Sequence, residues 1–280
     1  MESVYVRAAL DNDRPLSTVP GTPAAACATG TNGSTVPTIE CDDLCLRYFR
    51  GRSNALTGVS LKIPQGALCG LLGRNGAGKT SLMSLVAGLR RPSAGSVRVF
   101  GEDPWENPRI APQVAFVYQR SDAHAAINGF KTCDLLDKGA HFRPQWDADL
   151  ALHLLKRFDL PLKKAVGEMN AEQAAALRCI IGLASRTPLT LFDEVYLGMD
   201  AVSRKMFTDE LLTDYRAHPR TIIFSTHYIS EMERLFSEAI ILDVGKVLAH
   251  DNTGALCTHG KTLQDTFIGL TLKEDVTYGN

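Results

Sequence analysis

A glycine-rich turn between an apolar run and a helix-like run constrains this chain more than any other stretch. Residues Gly73 to Thr80 fit the pattern G-x-x-x-x-G-K-[ST], in which backbone N–H groups surround a phosphate. Residues 67–72 predict a buried strand before the turn, and residues 79–87 predict a helix whose positive end adds to the field. Lys79 would reach the β- and γ-phosphates, and the Thr80 hydroxyl would ligate Mg2+. The sequence therefore predicts a nucleoside triphosphate site.

Composition and charge indicate in which compartment, and with which partners, such a site would act. The chain has 280 residues and a net charge of −1, with acids and bases interspersed, so no nucleic-acid surface is indicated. No apolar run approaches the length needed to cross a bilayer. The seven cysteines are scattered without a C-x-x-C pair, and no secretion signal is evident. These features predict reduced, mostly buried thiols and a cytoplasmic location.

The order of apolar and polar residues divides the chain into three parts. Residues 1–37 are rich in small and polar residues and predict a disordered tail. Residues 38–250 predict one α/β domain, and residues 251–280 predict a short extension with a small helix at 263–268. Between about 120 and 186 the apolar period becomes helical, which predicts an insert of helices.

Within the predicted domain, strands and helices alternate on both sides of this insert. Strands are predicted at 39–48, 56–63, 67–72, 97–100, 114–118, 189–193, 221–226, 239–242 and 246–249. Helices are predicted at 79–87, 132–141, 147–158, 171–185, 201–215 and 229–236, with Asp147 as an N-cap. We expect an α/β P-loop NTPase fold: a mostly parallel central sheet, an N-terminal antiparallel β subdomain and a helical insert.

A second group of polar residues follows the later apolar strands. Residues 189–192 are apolar and β-prone and lead into Asp193 and Glu194. Asp193 would hold Mg2+ through water, and Glu194 would polarise an attacking water. His227 follows the strand at 221–226, and Gln119 follows the strand at 114–118. Each of these two residues is either a contact of the phosphate site or a structural residue.

The order of these motifs resembles the nucleotide-binding subunit of ATP-binding cassette (ABC) transporters over roughly residues 38–250. Gly73 to Ser81 stands as Walker A, and 189–193 as Walker B. The resemblance implies Glu194, His227 and Gln119 as catalytic residues, and Thr80, Gln119 and Asp193 as Mg2+ contacts. Residues 198–200 look like the D-loop. The ATP contacts that it implies are Tyr48 (or, as an alternative, Phe49) on adenine, with Gly73, Asn75, Gly76, Ala77, Gly78, Lys79, Thr80 and Ser81.

The chain departs from the family pattern at two places. The signature Leu-Ser-Gly-Gly-Gln is replaced by Met169, Asn170, Ala171, Glu172 and Gln173. In the family this motif acts on the ATP of the partner subunit, where the Glu172 carboxylate would be repelled by a γ-phosphate. Either that carboxylate turns away or meets a base, or the motif is locally shifted and Glu172 lies outward. After Glu194, residues 195–197 replace the usual Pro-Thr-Ser.

The resemblance implies an ATPase subunit that drives a separate integral membrane permease. Two cassettes, in a homodimer or a heterodimer, would sandwich two ATP molecules, and the permease would couple near Gln119 and the helical insert. Such a subunit would lie on the inner face of the cell membrane, and its compact length looks like bacterial exporter-type cassettes. Two alternatives stay open: a soluble ABC ATPase that acts on ribosomes or DNA, and a catalytically weak ATP-binding regulatory partner. The transported substrate stays open as well.

Overall fold

The computed structural model describes residues 36–48, 54–119 and 127–277. The predicted tail, apart from its last two residues, and Phe49 lie outside these ranges. The chain divides into two compact units, which we describe separately. The helical unit comprises the described parts of Val117–Thr190 and Val195–His218. The core unit comprises the described parts of Ser34–Phe116, Leu191–Glu194 and Pro219–Asn280.

Strands and helices follow the order that the sequence predicts. The strands are β1 Ile39–Arg47, β2 Asn54–Ile63, β3 Leu68–Leu72, β4 Ala94–Val99, β5 Val114–Tyr118, β6 Leu189–Asp193, β7 Thr221–Thr226, β8 Glu238–Asp243 and β9 Lys246–Asn252. The helices are α1 Lys79–Val86, α2 Thr132–Phe142, α3 Ala148–Arg157, α4 Ala171–Ala184, α5 Ala201–Ala217, α6 Ile229–Met232, α7 Thr253–Leu256 and α8 Leu263–Thr277. No described helix has the length and apolar character needed to span a bilayer.

The first three-stranded sheet is antiparallel, as predicted, in the order β2-β1-β4. Buried and exposed residues nearly alternate along β1 and β2, because one face of this sheet packs inward. The predicted start of β4 at residue 97 is wrong, since pairing of Ala94 with Cys45 extends the strand. The small residues at 94–96 carry no apolar signal. Asn54, predicted as part of a connection, begins β2.

The six-stranded central sheet has the order β5-β6-β7-β3-β8-β9. Strand β3 pairs in parallel with β7 and β8, and β9 closes the edge antiparallel to β8. Every residue of β3, β6 and β7 is buried, which accounts for the mainly apolar sequences of these strands. The expected mostly parallel α/β architecture is confirmed. Its parallel strands direct their carboxyl ends toward one edge, and the polar motifs follow there.

Side-chain caps fix where two helices of the helical unit begin. Asp147 caps α3 by accepting a hydrogen bond from the Leu150 amide at 2.8 Å, as predicted. Asn170 caps α4 in the same way through the Gln173 amide at 2.8 Å. Arg186 pairs with Asp147 and with the buried Asp214 of α5, so that both carboxylates have a cationic partner.

The carboxyl-terminal part of the core unit differs most from prediction. The helix predicted at 263–268 extends to Thr277. Its later turns contain Gly269 and two threonines, whose low helix propensity weakened the helical signal in the sequence. The helix predicted at 229–236 is instead the short α6 followed by a 3₁₀ turn at Glu233–Leu235. The Glu233 carboxylate accepts a hydrogen bond from the Leu263 amide at 3.0 Å, and this bond anchors the start of α8. Helix α7 was not predicted.

The cysteines of the described residues are free thiols, as expected. Cys41, Cys69, Cys133 and Cys179 are buried. Burial raises the pKa of the Cys41 thiol to about 12, so that this thiol stays protonated at neutral pH.

A core substitution tests the packing of the central sheet. Phe192 and Phe224 are both 0% exposed, and their ring centroids are 5.4 Å apart. We expect Phe224→Ala to lower the free energy of unfolding by about 3–5 kcal/mol, measured by urea denaturation, because it opens a cavity. Leu89, which is 56% exposed, serves as the control. Leu89→Ala should change stability by less than about 0.5 kcal/mol, and equal effects would contradict this packing.

Candidate functional site

The turn between β3 and α1 has a shape that only glycine permits at two positions. Gly78 has φ 107°, and a Cβ there would lie 2.7 Å from the Ala55 carbonyl oxygen. A Cβ on Gly73 would lie 2.5 Å from the Leu242 carbonyl oxygen. Gly78 is also the N-cap of α1 and offers no side chain to its first amides. The turn therefore presents donors at a positive helix end, which is the setting that a phosphate requires.

Lys79 lies within this turn and is 5% exposed. Its ammonium donates to the carbonyl oxygens of Gly73 at 2.8 Å and Arg74 at 3.2 Å. The same nitrogen lies 3.1 Å from Oε1 of Glu194, whose side chain is 24% exposed. The structure thus brings together two predicted site residues, Lys79 of the phosphate loop and Glu194 after β6, and their opposite charges compensate each other.

Asp193 is held by hydroxyl groups from two other elements. Thr80 Oγ1 donates to Asp193 Oδ2 at 2.6 Å, and Ser225 Oγ donates to Oδ1 at 2.6 Å. Burial raises the pKa of the Asp193 carboxyl above its ordinary value, against the lowering effect of these two hydrogen bonds. A buried carboxylate beside a hydroxyl offers the oxygen ligands that Mg2+ prefers. The described residues contain no group of three His, Cys, Asp or Glu that could hold a metal.

Ser225 is a residue that sequence reasoning missed. Besides donating to Asp193, its Oγ accepts a hydrogen bond from the Glu194 amide at 2.9 Å. Glu194 has φ 48°, in the left-handed region, and the Ser225 hydroxyl holds the backbone in that turn. The available signal was a buried hydroxyl near the end of the apolar strand β7.

Tyr48, the predicted adenine contact, reaches the helix that follows the phosphate loop. Its hydroxyl shares a hydrogen bond of 2.9 Å with Ser81 Oγ, and the ring is 38% exposed. The Arg90 guanidinium lies 4.8 Å from the centroid of the ring. Asn75, Gly76 and Thr80 are exposed around the loop, while Ala77 and Ser81 are buried.

Gln119 and His227 each have a contact with a neighbouring residue of their own unit. In the helical unit, Gln119 Nε2 donates to the Leu197 carbonyl oxygen at a long 3.5 Å. In the core unit, the exposed His227 ring lies 4.2 Å from that of Tyr228. Their catalytic roles stay predictions.

The signature-like segment forms a capped helix start. Asn170 accepts from the Gln173 amide, and Gln173 Oε1 accepts from Lys164 Nζ at 2.9 Å. The Glu172 carboxylate turns toward α5, where Ser203 Oγ donates to it at 2.5 Å. The sequence left open that this carboxylate turns away, meets a base or lies outward; its partner in the structure is the Ser203 hydroxyl, which the sequence analysis did not foresee.

Two of the three residues that replace Pro-Thr-Ser are core residues of the helical unit, and Leu197 is half-buried. Val195 is 0% and Tyr196 3% exposed. The Tyr196 ring packs edge-on against Phe207 at 5.6 Å, and its hydroxyl shares a 2.8 Å hydrogen bond with Thr208. This departure therefore serves packing against α5.

The phosphate loop, the carboxylates at the end of β6 and the sheet order match a known family. The profile of the family described as ABC transporter matches residues 56–196. The chain belongs to the ABC transporter family. It is an ATP-binding and ATP-hydrolysing subunit of that family.

Known proteins agree with this assignment. The chain is 27% identical over 211 residues to a probable metal transport system ATP-binding protein of Chlamydia muridarum, covering 72% of this chain and 79% of that protein. It is 27% identical over 212 residues to the doxorubicin resistance ATP-binding protein DrrA of Mycobacterium tuberculosis, covering 75% of this chain and 64% of the relative.

Solved structures confirm the fold. One described as the ATP binding subunit of an ABC transporter has a TM-score of 0.71 at 21% identity, covering 84% of this chain and 99% of its own. The dimeric MJ0796, a bacterial ABC transporter cassette, has a TM-score of 0.65 at 19% identity, with coverage of 76% and 98%.

Ser225→Ala tests whether this hydroxyl positions the Asp193 carboxylate, the predicted Mg2+ ligand. We expect the Mg2+ concentration for half-maximal ATP turnover to rise about tenfold, since a hydrogen bond to a charged group is lost. ATP binding without Mg2+ should be unchanged. Ser185 supplies the control, because it is 2% exposed and its hydroxyl bonds the Ile181 carbonyl oxygen. Ser185→Ala should leave the Mg2+ dependence unchanged, and equal shifts would refute a positioning role.

Proposed function

We propose that this chain binds MgATP between two cassettes and that its hydrolysis of ATP drives a separate integral membrane permease. The observation that carries the proposal is the linked cluster at the end of β6. There Asp193 bonds Thr80 and Ser225, while Glu194 bonds Lys79. One cluster thus joins the phosphate loop to both carboxylates, and a nucleotide in the loop would meet all of them.

Different residues of the site would bind the phosphates, the adenine and the Mg2+. Amides from Asn75 to Ser81 would donate to the phosphates, and Tyr48 would stack on adenine. Lys79 would exchange Glu194 for phosphate oxygens, because a triphosphate is the more negative partner. Thr80 and Asp193, with Gln119, would hold the Mg2+, which neutralises phosphate charge when bound.

Glu194 is the proposed general base. Its backbone is fixed by Ser225, and its carboxylate lies 3.1 Å from the Lys79 ammonium. Once Lys79 moves to phosphate, the carboxylate is free to accept a proton from the attacking water. His227 would contact the γ-phosphate and orient the water.

The partners follow from the family assignment. Asn170, Ala171, Glu172 and Gln173 would act on ATP held by a second cassette. The protein would bind the permease from the cytoplasm, at the inner face of the membrane, and we propose no nucleic-acid partner. The relatives are named for metal transport, drug resistance and choline transport, so their names indicate no single cargo.

Glu194→Gln tests the assignment of the base. We expect steady-state ATP turnover to fall at least about a hundredfold while ATP binding persists, because the amide cannot accept the proton. Glu102, half-buried and paired with Arg109 at 2.7 Å, offers the same change away from the loop, and Glu102→Gln should keep wild-type turnover. Turnover that survives in Glu194→Gln would contradict the role. A wild type that binds MgATP without turnover would indicate that a different cassette must supply the second signature.

Tyr48 gives a separate test of the adenine contact. We expect Tyr48→Ala to weaken ATP binding about tenfold, the scale of one base–aromatic stack. Tyr48→Phe removes the hydrogen bond to Ser81 but keeps the ring, and should bind nearly as well as wild type. Titration calorimetry distinguishes the two variants. Equal losses in both would assign the effect to the hydroxyl and exclude stacking.

A further inference from the structure

Glu172 is the residue that most clearly sets this chain apart from its family, and its side chain is restrained. It is the second residue of α4 and is half-buried. Its Oε1 accepts a 2.5 Å hydrogen bond from Ser203 Oγ. Ser203 lies in the first turn of α5, where its amide donates to the N-cap Asp200 at 2.7 Å. The carboxylate is therefore tied to the start of a neighbouring helix.

A backbone contact holds the same two segments together. Gly198 has φ 100°, and a Cβ there would lie 3.0 Å from the Ala171 carbonyl oxygen and 3.2 Å from the Ala171 Cβ. The turn at residues 198–200 thus lies directly against the start of α4. This contact keeps Ser203 within reach of Glu172, so that the hydrogen bond does not depend on two freely moving surface segments.

The remaining surface at this helix start is open. Asn170 and Ala171 are exposed, and α4 has its positive end there. Under the proposed function, this end faces a triphosphate bound by a second cassette. A Glu172 carboxylate that swung out to it would repel the phosphates. A carboxylate kept on α5 leaves the exposed amides accessible.

We propose that Ser203 is a positioning residue that holds Glu172 back, so that the Asn170–Ala171 end of α4 meets the triphosphate on a second copy of this chain. The inference rests on the proposed function and deepens it. It makes the altered signature compatible with a homodimer, because the one repulsive group has a partner within its own subunit.

A set of variants in a Glu194→Gln parent tests this role. The parent should retain ATP, so its ATP-driven association is measured by sedimentation with and without Ser203→Ala, Glu172→Gln and both. We expect Ser203→Ala to weaken association about tenfold, as for loss of a hydrogen bond to a charged group. With Glu172→Gln present, Ser203→Ala should have no further effect.

The matched control removes another hydroxyl from the same helix. Thr213 Oγ1 donates to the Asp209 carbonyl oxygen at 2.8 Å, so Thr213→Ala should leave association unchanged. Equal weakening by Ser203→Ala with Glu172 or Gln at 172 would overturn the inference, since Ser203 would then only support α5. No weakening at all would overturn it too.

The same measurements separate this inference from the proposed function. Loss of ATP binding in the parent itself would refute the proposed function. ATP binding without ATP-driven association of the parent would refute the homodimer and this inference with it. Intact association that ignores Ser203 would refute this inference alone.

Discussion

The buried carboxylate of Asp193 is the group on which the site depends. It ends β6, and it is bonded by a hydroxyl from α1 and by another from β7. A buried carboxylate without partners would be costly, and each of these bonds therefore ties a separate element to the end of the sheet. The Ser225 hydroxyl oxygen also accepts a hydrogen bond from the Glu194 amide. This bond holds Glu194 in its left-handed backbone conformation. One serine thus fixes the positions of both acidic residues.

Charge compensation accounts for the buried ammonium of the phosphate loop. Lys79 is almost fully buried, and its ammonium is satisfied by two loop carbonyl groups and by Glu194. A triphosphate competes for this ammonium with a higher charge than a single carboxylate. Under the proposed function, ATP binding therefore releases Glu194 from Lys79. The proposed base is paired with Lys79 until ATP binds.

Local patterns allowed much of this site to be predicted. The glycines and Lys79 lie within eight residues of each other, and the apolar run before Asp193 marks its strand without reference to any other segment. Ser225 was missed because its contacts with Asp193 and Glu194 depend on the sheet order, which places β7 beside β6. The partner of Glu172 was missed for a similar reason, since Ser203 lies 31 residues away in the chain. The start of β4 at Ala94 was missed because it depends on pairing with β1, and the local sequence pattern contains no sign of that pairing.

The two departures from the family pattern meet on one helix. Helix α5 supplies Ser203 to Glu172, and one turn later it supplies Phe207 and Thr208 to Tyr196. Ser203 and Phe207 are four apart and lie on the same face of α5, so this face contacts both Glu172 and Tyr196. Considered one at a time, a carboxylate in the signature and a bulky residue after Glu194 suggest a damaged interface. Considered together, they have partners in the same unit, and the exposed start of α4 keeps its cap and its amides. This arrangement favours an interface that has been rebuilt around its altered residues over one that has been lost.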